Sequence, residues 1–159
     1  MPTERIRLDR PPGTAMGLTS AQHRELTFPP GDPCAYDEGI AFTRQTFADW
    51  HLTDAAEDCG AVLVAAELLA NAIRHADGPR SLSLEHDGDH LRIAVSDTHP
   101  GPLRMRRPRP DRIGGHGIRI IDRLTHHHWG TGTAATGKTV WARLALPPTG
   151  PGPGRTAAP

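Results

Sequence analysis

Glu67-Leu68-Leu69-Ala70-Asn71-Ala72-Ile73-Arg74-His75 lies inside the strongest helical signal of the chain, which runs from Ala55 to Ala76. Val62, Ala66, Leu69 and Ile73 recur at the four-then-three spacing of a buried helical stripe. Glu67, Asn71 and His75 recur at i, i+4 and i+8, so they share a neighbouring face of the same helix. A carboxylate and a carboxamide one turn apart, beside an apolar stripe, are suited to joint work. The Asn71 side-chain oxygen is a neutral hard ligand for Mg²⁺, an ion that takes its other ligands from phosphates and water. The Glu67 carboxylate can orient or deprotonate a hydroxyl beside that ion. The plainer alternative is a wet helix edge, the ordinary case for polar residues flanking an apolar stripe.

Working outward from this helix, Asp54 followed by Glu57 resembles a capping box at its start. Before it, Tyr36, Ile40, Thr43, Phe47 and Trp50 repeat at helical spacing and predict a first amphipathic helix, with Asp32-Pro33 as its start. Arg24 to Phe28 reads as a short strand stopped by Pro29-Pro30-Gly31. After Asp77-Gly78-Pro79 the period changes to two. Leu82 and Leu84, then Leu91, Ile93 and Val95, alternate with polar or small residues around Asp87-Gly88-Asp89. This predicts a β-hairpin from Ser81 to about Asp97. Arg104 to Arg112, interrupted by Pro108 and Pro110, is a loop. Gly114-Gly115-His116-Gly117 opens a third helix with Ile118, Ile120, Ile121 and Leu124 as its apolar positions. His126 to Gly130 begins a strand. Lys138 to Leu146 is the last strand, with Val140, Ala142, Leu144 and Leu146 on one side. The expected fold is α+β, a two-layer α/β sandwich whose mixed, mainly antiparallel sheet is covered on one face by about three helices. One domain spans 23–146, between a flexible leader (1–22) and a disordered Pro/Gly-rich tail (147–159).

A chain of 159 residues is long enough for one domain with a real core. Lys+Arg and Asp+Glu balance at 18 each, so no field draws the protein to nucleic acid or to an anionic membrane. Cys34 and Cys59 are far apart and form no CxxC, which argues against a disulfide scaffold. No apolar run is long enough to span a bilayer, and the N-terminus lacks a signal-peptide apolar region. The expectation is a soluble, cytoplasmic protein.

Two further stretches carry chemistry. Asp97 closes a strand of apolar alternation, and a carboxylate there can accept from an exocyclic amine such as adenine N6; its rival role is that of a turn Asp. Gly115 and Gly117 bracket a helix start, where outward N–H groups and the helix dipole favour phosphate. The order of Glu67…Asn71, then Asp97-Thr98-His99-Pro100-Gly101, then Gly115-His116-Gly117-Ile118 resembles the N, G1 and G2 boxes of the GHKL ATPases, the Bergerat fold. Among these the chain looks most like the small bacterial anti-sigma-factor serine/threonine kinases. The resemblance covers roughly Leu26 to Leu146, and Gly137-Lys138-Thr139-Val140-Trp141-Ala142 looks like the family's last strand.

The resemblance implies an ATP-binding regulatory protein that uses ATP and Mg²⁺. Its implied sites are Glu67 as general base, Asn71 as the Mg²⁺ ligand, and Asp97 as the reader of adenine. Gly101, Gly115, His116 and Gly117 would line the nucleotide, and Thr139 would sit near the adenine, with Lys138 only bordering the site. The implied partners are an anti-sigma-factor antagonist as phosphoacceptor and a sigma factor, with no direct nucleic-acid or membrane contact; the family often forms homodimers. The G1 box departs from the family pattern DxGxG, since His99 stands at the first glycine position and only Gly101 remains. That departure motivates the alternative of a weakly binding or non-catalytic docking module. No helical dimerisation segment precedes the fold, which argues against a sensor histidine kinase.

Rival motifs lack their context. Gly132 to Thr139 matches GxxxxGKS/T, the P-loop, but a P-loop needs a helix after it and the residues following Thr139 alternate as a strand. His126-His127-His128, read as part of a strand, would point to alternating faces and do not predict a zinc site. The arginines of 104–112 read as a solvated loop or as a lid whose cations approach phosphates or an acidic partner.

Overall fold

The computed structural model describes residues 4–5, 21–99, 117–134 and 136–148. In chain order the elements are β1 (Glu4–Arg5), β2 (Gln22–Thr27), α1 (Ala35–Asp49), α2 (Thr53–Asp58), α3 (Ala61–His75), β3 (Pro79–His86), β4 (His90–Asp97), α4 (Gly117–Leu124), β5 (Trp129–Ala134) and β6 (Gly137–Ala145). The six strands form one sheet in the order β1-β2-β3-β4-β6-β5. Every pairing among the described residues is antiparallel, so the sheet is not mixed as expected. The architecture is the predicted α+β sandwich. β1 lies within the stretch read as a leader and pairs Glu4 with Leu26 and Arg5 with Glu25. The rest of 1–20, the loop from Leu103 to Ile113 and the tail beyond Pro148 lie outside the described residues.

Pairing register explains the single apolar face. Leu82 lies opposite Val95 and Leu84 opposite Ile93. Across β6, Leu91, Ile93 and Val95 meet Leu144, Ala142 and Val140. All of these are buried beneath the helices. In the intervening phase Ser83, Glu85, Arg92, Ser96, Thr139, Trp141 and Arg143 are half-buried or exposed, and the small Ala94, opposite Trp141, is buried; this is the period-two signature of a sheet covered on one side. The β3–β4 turn is held by Asp87, whose Oδ1 accepts from the backbone N–H of Asp89 (3.1 Å) and His90 (2.8 Å). Asp32 starts α1 in the same manner, accepting from the Cys34 N–H at 2.9 Å.

The long helical signal of Ala55–Ala76 is two helices. Gly60 takes a left-handed φ of 74° between α2 and α3, with Leu124 of α4 seated where a side chain would project. The Asp54/Glu57 capping box does not form, because α2 begins one residue before Asp54 and has no side-chain cap. The buried residues of α3 are Ala61, Val64, Ala65, Leu68, Leu69, Asn71 and Ala72. Of the predicted stripe only Leu69 is fully buried, and Ile73 is 46% exposed. The reason is tertiary: α3 touches α1, α2, α4, β3, β4 and β6, so its buried arc is set by several neighbours. In a helix this rich in Ala, Leu and Val, periodicity alone does not select the arc.

His126 and His127 do not begin a strand. They turn at the end of α4 with φ of 50° and 68°, and β5 starts at Trp129. Asp122 holds this turn: its Oδ1 accepts from Trp129 Nε1 at 2.8 Å and bonds His127 Nδ1 at 2.9 Å. Those bonds, that of Trp129 foremost, hold the Asp122 carboxyl below the ordinary Asp value.

The α1–α3 contact depends on Gly39, where a Cβ would lie 2.6 Å from Leu69 Cδ1. Leu69 is itself fully enclosed, so it has little room to yield. Gly39→Val is expected to destabilise the protein by about 1–3 kcal/mol through overpacking, measured as a lower urea midpoint with unchanged slope.

Candidate nucleotide-binding site

The site is assembled from α3, the end of β4, the start of β6 and the start of α4. Helix geometry puts Glu67 and Asn71 one turn apart on α3. Asn71 is buried and Glu67 half-buried, whereas His75 is exposed. Among the described residues the Glu67 carboxylate lies against Gly117, the first residue of α4. A Cβ built on Gly117 would collide with Glu67 Oε2, so any side chain there would displace the end of the Glu67 carboxylate. Glu67 and Gly117, 50 positions apart in the chain, therefore meet in space. Gly101, Gly115 and His116, also expected around the nucleotide, lie outside the described residues.

Asp97 ends β4 in phase with Leu91, Ile93 and Val95, so its carboxylate points to the helix-covered side, and its side chain is 1% exposed. One carboxylate oxygen accepts from the His99 backbone N–H at 2.8 Å. The other lies 3.5 Å from the Lys138 ammonium, whose side chain is 2% exposed. Asp97 and Lys138 are direct register partners across β4 and β6. The backbone of Gly137 passes against the Asp97 carbonyl oxygen at φ 154°, with no room for a Cβ.

Thr139 is not part of this group. It is the register partner of Ser96 and faces the uncovered side of the sheet, where the two hydroxyl oxygens are 2.9 Å apart. A one-residue change of phase along a strand reverses the face. The residue that shares the pocket side with Asp97 is Lys138, expected only to border the site. Its signal was in the sequence: Lys138 has the same parity as Val140, Ala142 and Leu144, and a lysine in a buried phase is rarely found without a partner. The P-loop pattern is divided between β5 (Gly132–Ala134) and β6 (Gly137–Thr139) with no helix following, so the geometry that mechanism needs is absent from these described residues. Among the described residues no three His, Cys, Asp or Glu converge as a metal site.

Chemically, these groups offer a buried acceptor and donor for a polar base edge, a carboxamide suited to a cation that brings its own phosphate ligands, and a carboxylate beside a helix N-terminus. A family model described as the histidine kinase-like ATPase domain matches residues 34–144, well over half of the 159-residue chain, and the chain belongs to that family. The GHKL-type ATPase fold and its ATP-binding character follow from this membership. No curated protein matches the chain. No helix among the described residues is long and apolar enough to cross a membrane.

Breaking the Asp97–Lys138 pair leaves one buried charge without its counter-ion. Lys138→Met is expected to cost about 3–5 kcal/mol of stability. Adding Asp97→Asn to Lys138→Met should cost less than the sum of the two single changes, a coupling that urea unfolding of the four proteins measures.

Proposed function

We propose that this protein is a cytoplasmic, ATP-dependent serine/threonine kinase of the anti-sigma-factor type, acting on an anti-sigma-factor antagonist and also binding a sigma factor, with a homodimer as its working form. The observation that carries the reading is the seat of Glu67 against Gly117, one helical turn from Asn71. That arrangement sets a carboxylate beside a helix N-terminus, where a triphosphate is favoured. Asn71 would hold Mg²⁺, which when bound neutralises phosphate charge; its single carboxamide suits an ion that keeps water and phosphate ligands. Glu67 orients the acceptor hydroxyl and takes its proton as the hydroxyl oxygen bonds to the γ-phosphorus. The bond to the β–γ bridging oxygen breaks and ADP leaves. The new phosphate on the antagonist changes partner choice by adding charge to an interface.

A second reading, regulation by docking with weak nucleotide binding, is favoured by His99, which stands at a glycine position of the G1 pattern and has its N–H committed to Asp97. Calorimetry separates the two. Saturable, Mg²⁺-dependent ATP binding that is lost in Asp97→Asn supports the kinase, and no binding by the wild type supports docking alone.

With [γ-³²P]ATP and a panel of purified anti-sigma-factor antagonists, one antagonist is expected to be labelled. Glu67→Ala should slow labelling about 10²–10⁴-fold, the range for loss of a general base, while ATP still binds. Labelling undiminished in Glu67→Ala would rule out this role. Gly117→Ala displaces the Glu67 carboxylate without removing it and is expected to slow labelling by about 10²-fold, read in the same assay.

A further inference from the structure

The Asp97–Lys138 pair is not explained by stability. Both side chains are almost wholly withdrawn from water, and the desolvation of two charges commonly cancels their attraction. An apolar pair would fill the end of the Val95/Val140 rows at no net cost. Their 3.5 Å separation is an ion pair and not a short hydrogen bond, so it does not exhaust the hydrogen-bonding capacity of either group. An ammonium carries three N–H donors and a carboxylate about four acceptor sites. The geometry is also held on both sides. The His99 N–H fixes one oxygen of Asp97, and the close passage of Gly137 against the Asp97 carbonyl sets the spacing of the two strand ends.

We propose that Lys138 is a specificity-determining residue that reads the base: with Asp97 it forms a neighbouring acceptor and donor for the adenine edge, Asp97 accepting from the exocyclic amine and Lys138 donating to ring nitrogen N1. This rests on the nucleotide-site reading above. The physical need is plain. An adenine seated with its amine on Asp97 carries N1 into the same buried region, where an acceptor without a donor is costly. Lys138 is a register partner of Asp97 on the same face, whereas Thr139, the nearest alternative donor on β6, faces the other side of the sheet.

Calorimetric titration of the full chain with ATP and with 1-deaza-ATP, in which C–H replaces N1, tests this directly. The wild type is expected to prefer ATP by about 10- to 100-fold, the range for a hydrogen bond to a charged group. In Lys138→Met the two nucleotides should bind within about twofold of each other. Equal binding of both by the wild type overturns the inference, as does a preference that persists undiminished in Lys138→Met. If Lys138→Met does not fold or does not bind, Lys138→Gln, which keeps a neutral donor, is titrated instead: the preference is expected to fall below about tenfold, the range for a neutral hydrogen bond, and an undiminished preference overturns the inference. Failure of the wild type to bind ATP overturns the nucleotide site itself, an outcome distinct from binding that ignores N1.

Discussion

Helix α3 is held between the sheet and the other helices, and that packing positions everything else. Val64, Ala65, Leu68, Leu69 and Ala72 are withdrawn from water, with α1 approaching closely over Gly39 and α4 meeting the chain at Gly60. Burial of these side chains, at roughly 1.5–3 kcal/mol for each large one, fixes the helix against β4 and β6. Its rotation then follows from the whole set of neighbours. That rotation sends Ile73 outward, takes Asn71 inward and brings Glu67 against the start of α4. A polar constellation on a helix edge thus becomes a site because the apolar arc beside it is committed.

At the end of β4 and the start of β6 the apolar rows of the sheet give way to charge. Leu91–Leu144, Ile93–Ala142 and Val95–Val140 are followed, one step on in the same phase, by Asp97–Lys138. Water is withdrawn from the pair as it is from the rows. An aqueous Asp and Lys would exchange partners freely; enclosed, they become a fixed acceptor and a fixed donor. The uncovered face shows the contrast. There Glu85, Arg92 and Arg143 keep substantial solvent contact, and Arg92 lies 5.5 Å from the centre of the Trp141 ring.

Strand alternation, the Asp87-Gly88-Asp89 turn and the three-box order were legible in the sequence because each is local or is carried by spacing along the chain. The hairpin and the apolar phase of β6 stand where alternation placed them. Where structure and expectation differ, the cause is a contact that periodicity does not register. Gly60 falls inside the helical signal of Ala55–Ala76, and its left-handed φ of 74°, with Leu124 packed over it, divides that signal into two helices. The histidines at 126–128 read as a strand until the Asp122 bonds hold the backbone in a turn. The resemblance implies Thr139 beside the adenine, although alternation puts it out of phase with the buried row.

The sequence by itself determined the class of fold, the antiparallel hairpin and the residue types available for a nucleotide, since periodicity and turn chemistry act within a few residues. Only the tertiary structure decided which of those residues meet. The arc of α3, the seat of Glu67 on Gly117 and the pairing of Lys138 with Asp97 all depend on packing between segments far apart in the chain. Such contacts are set by the mutual fit of several surfaces at once, and no single stretch encodes them.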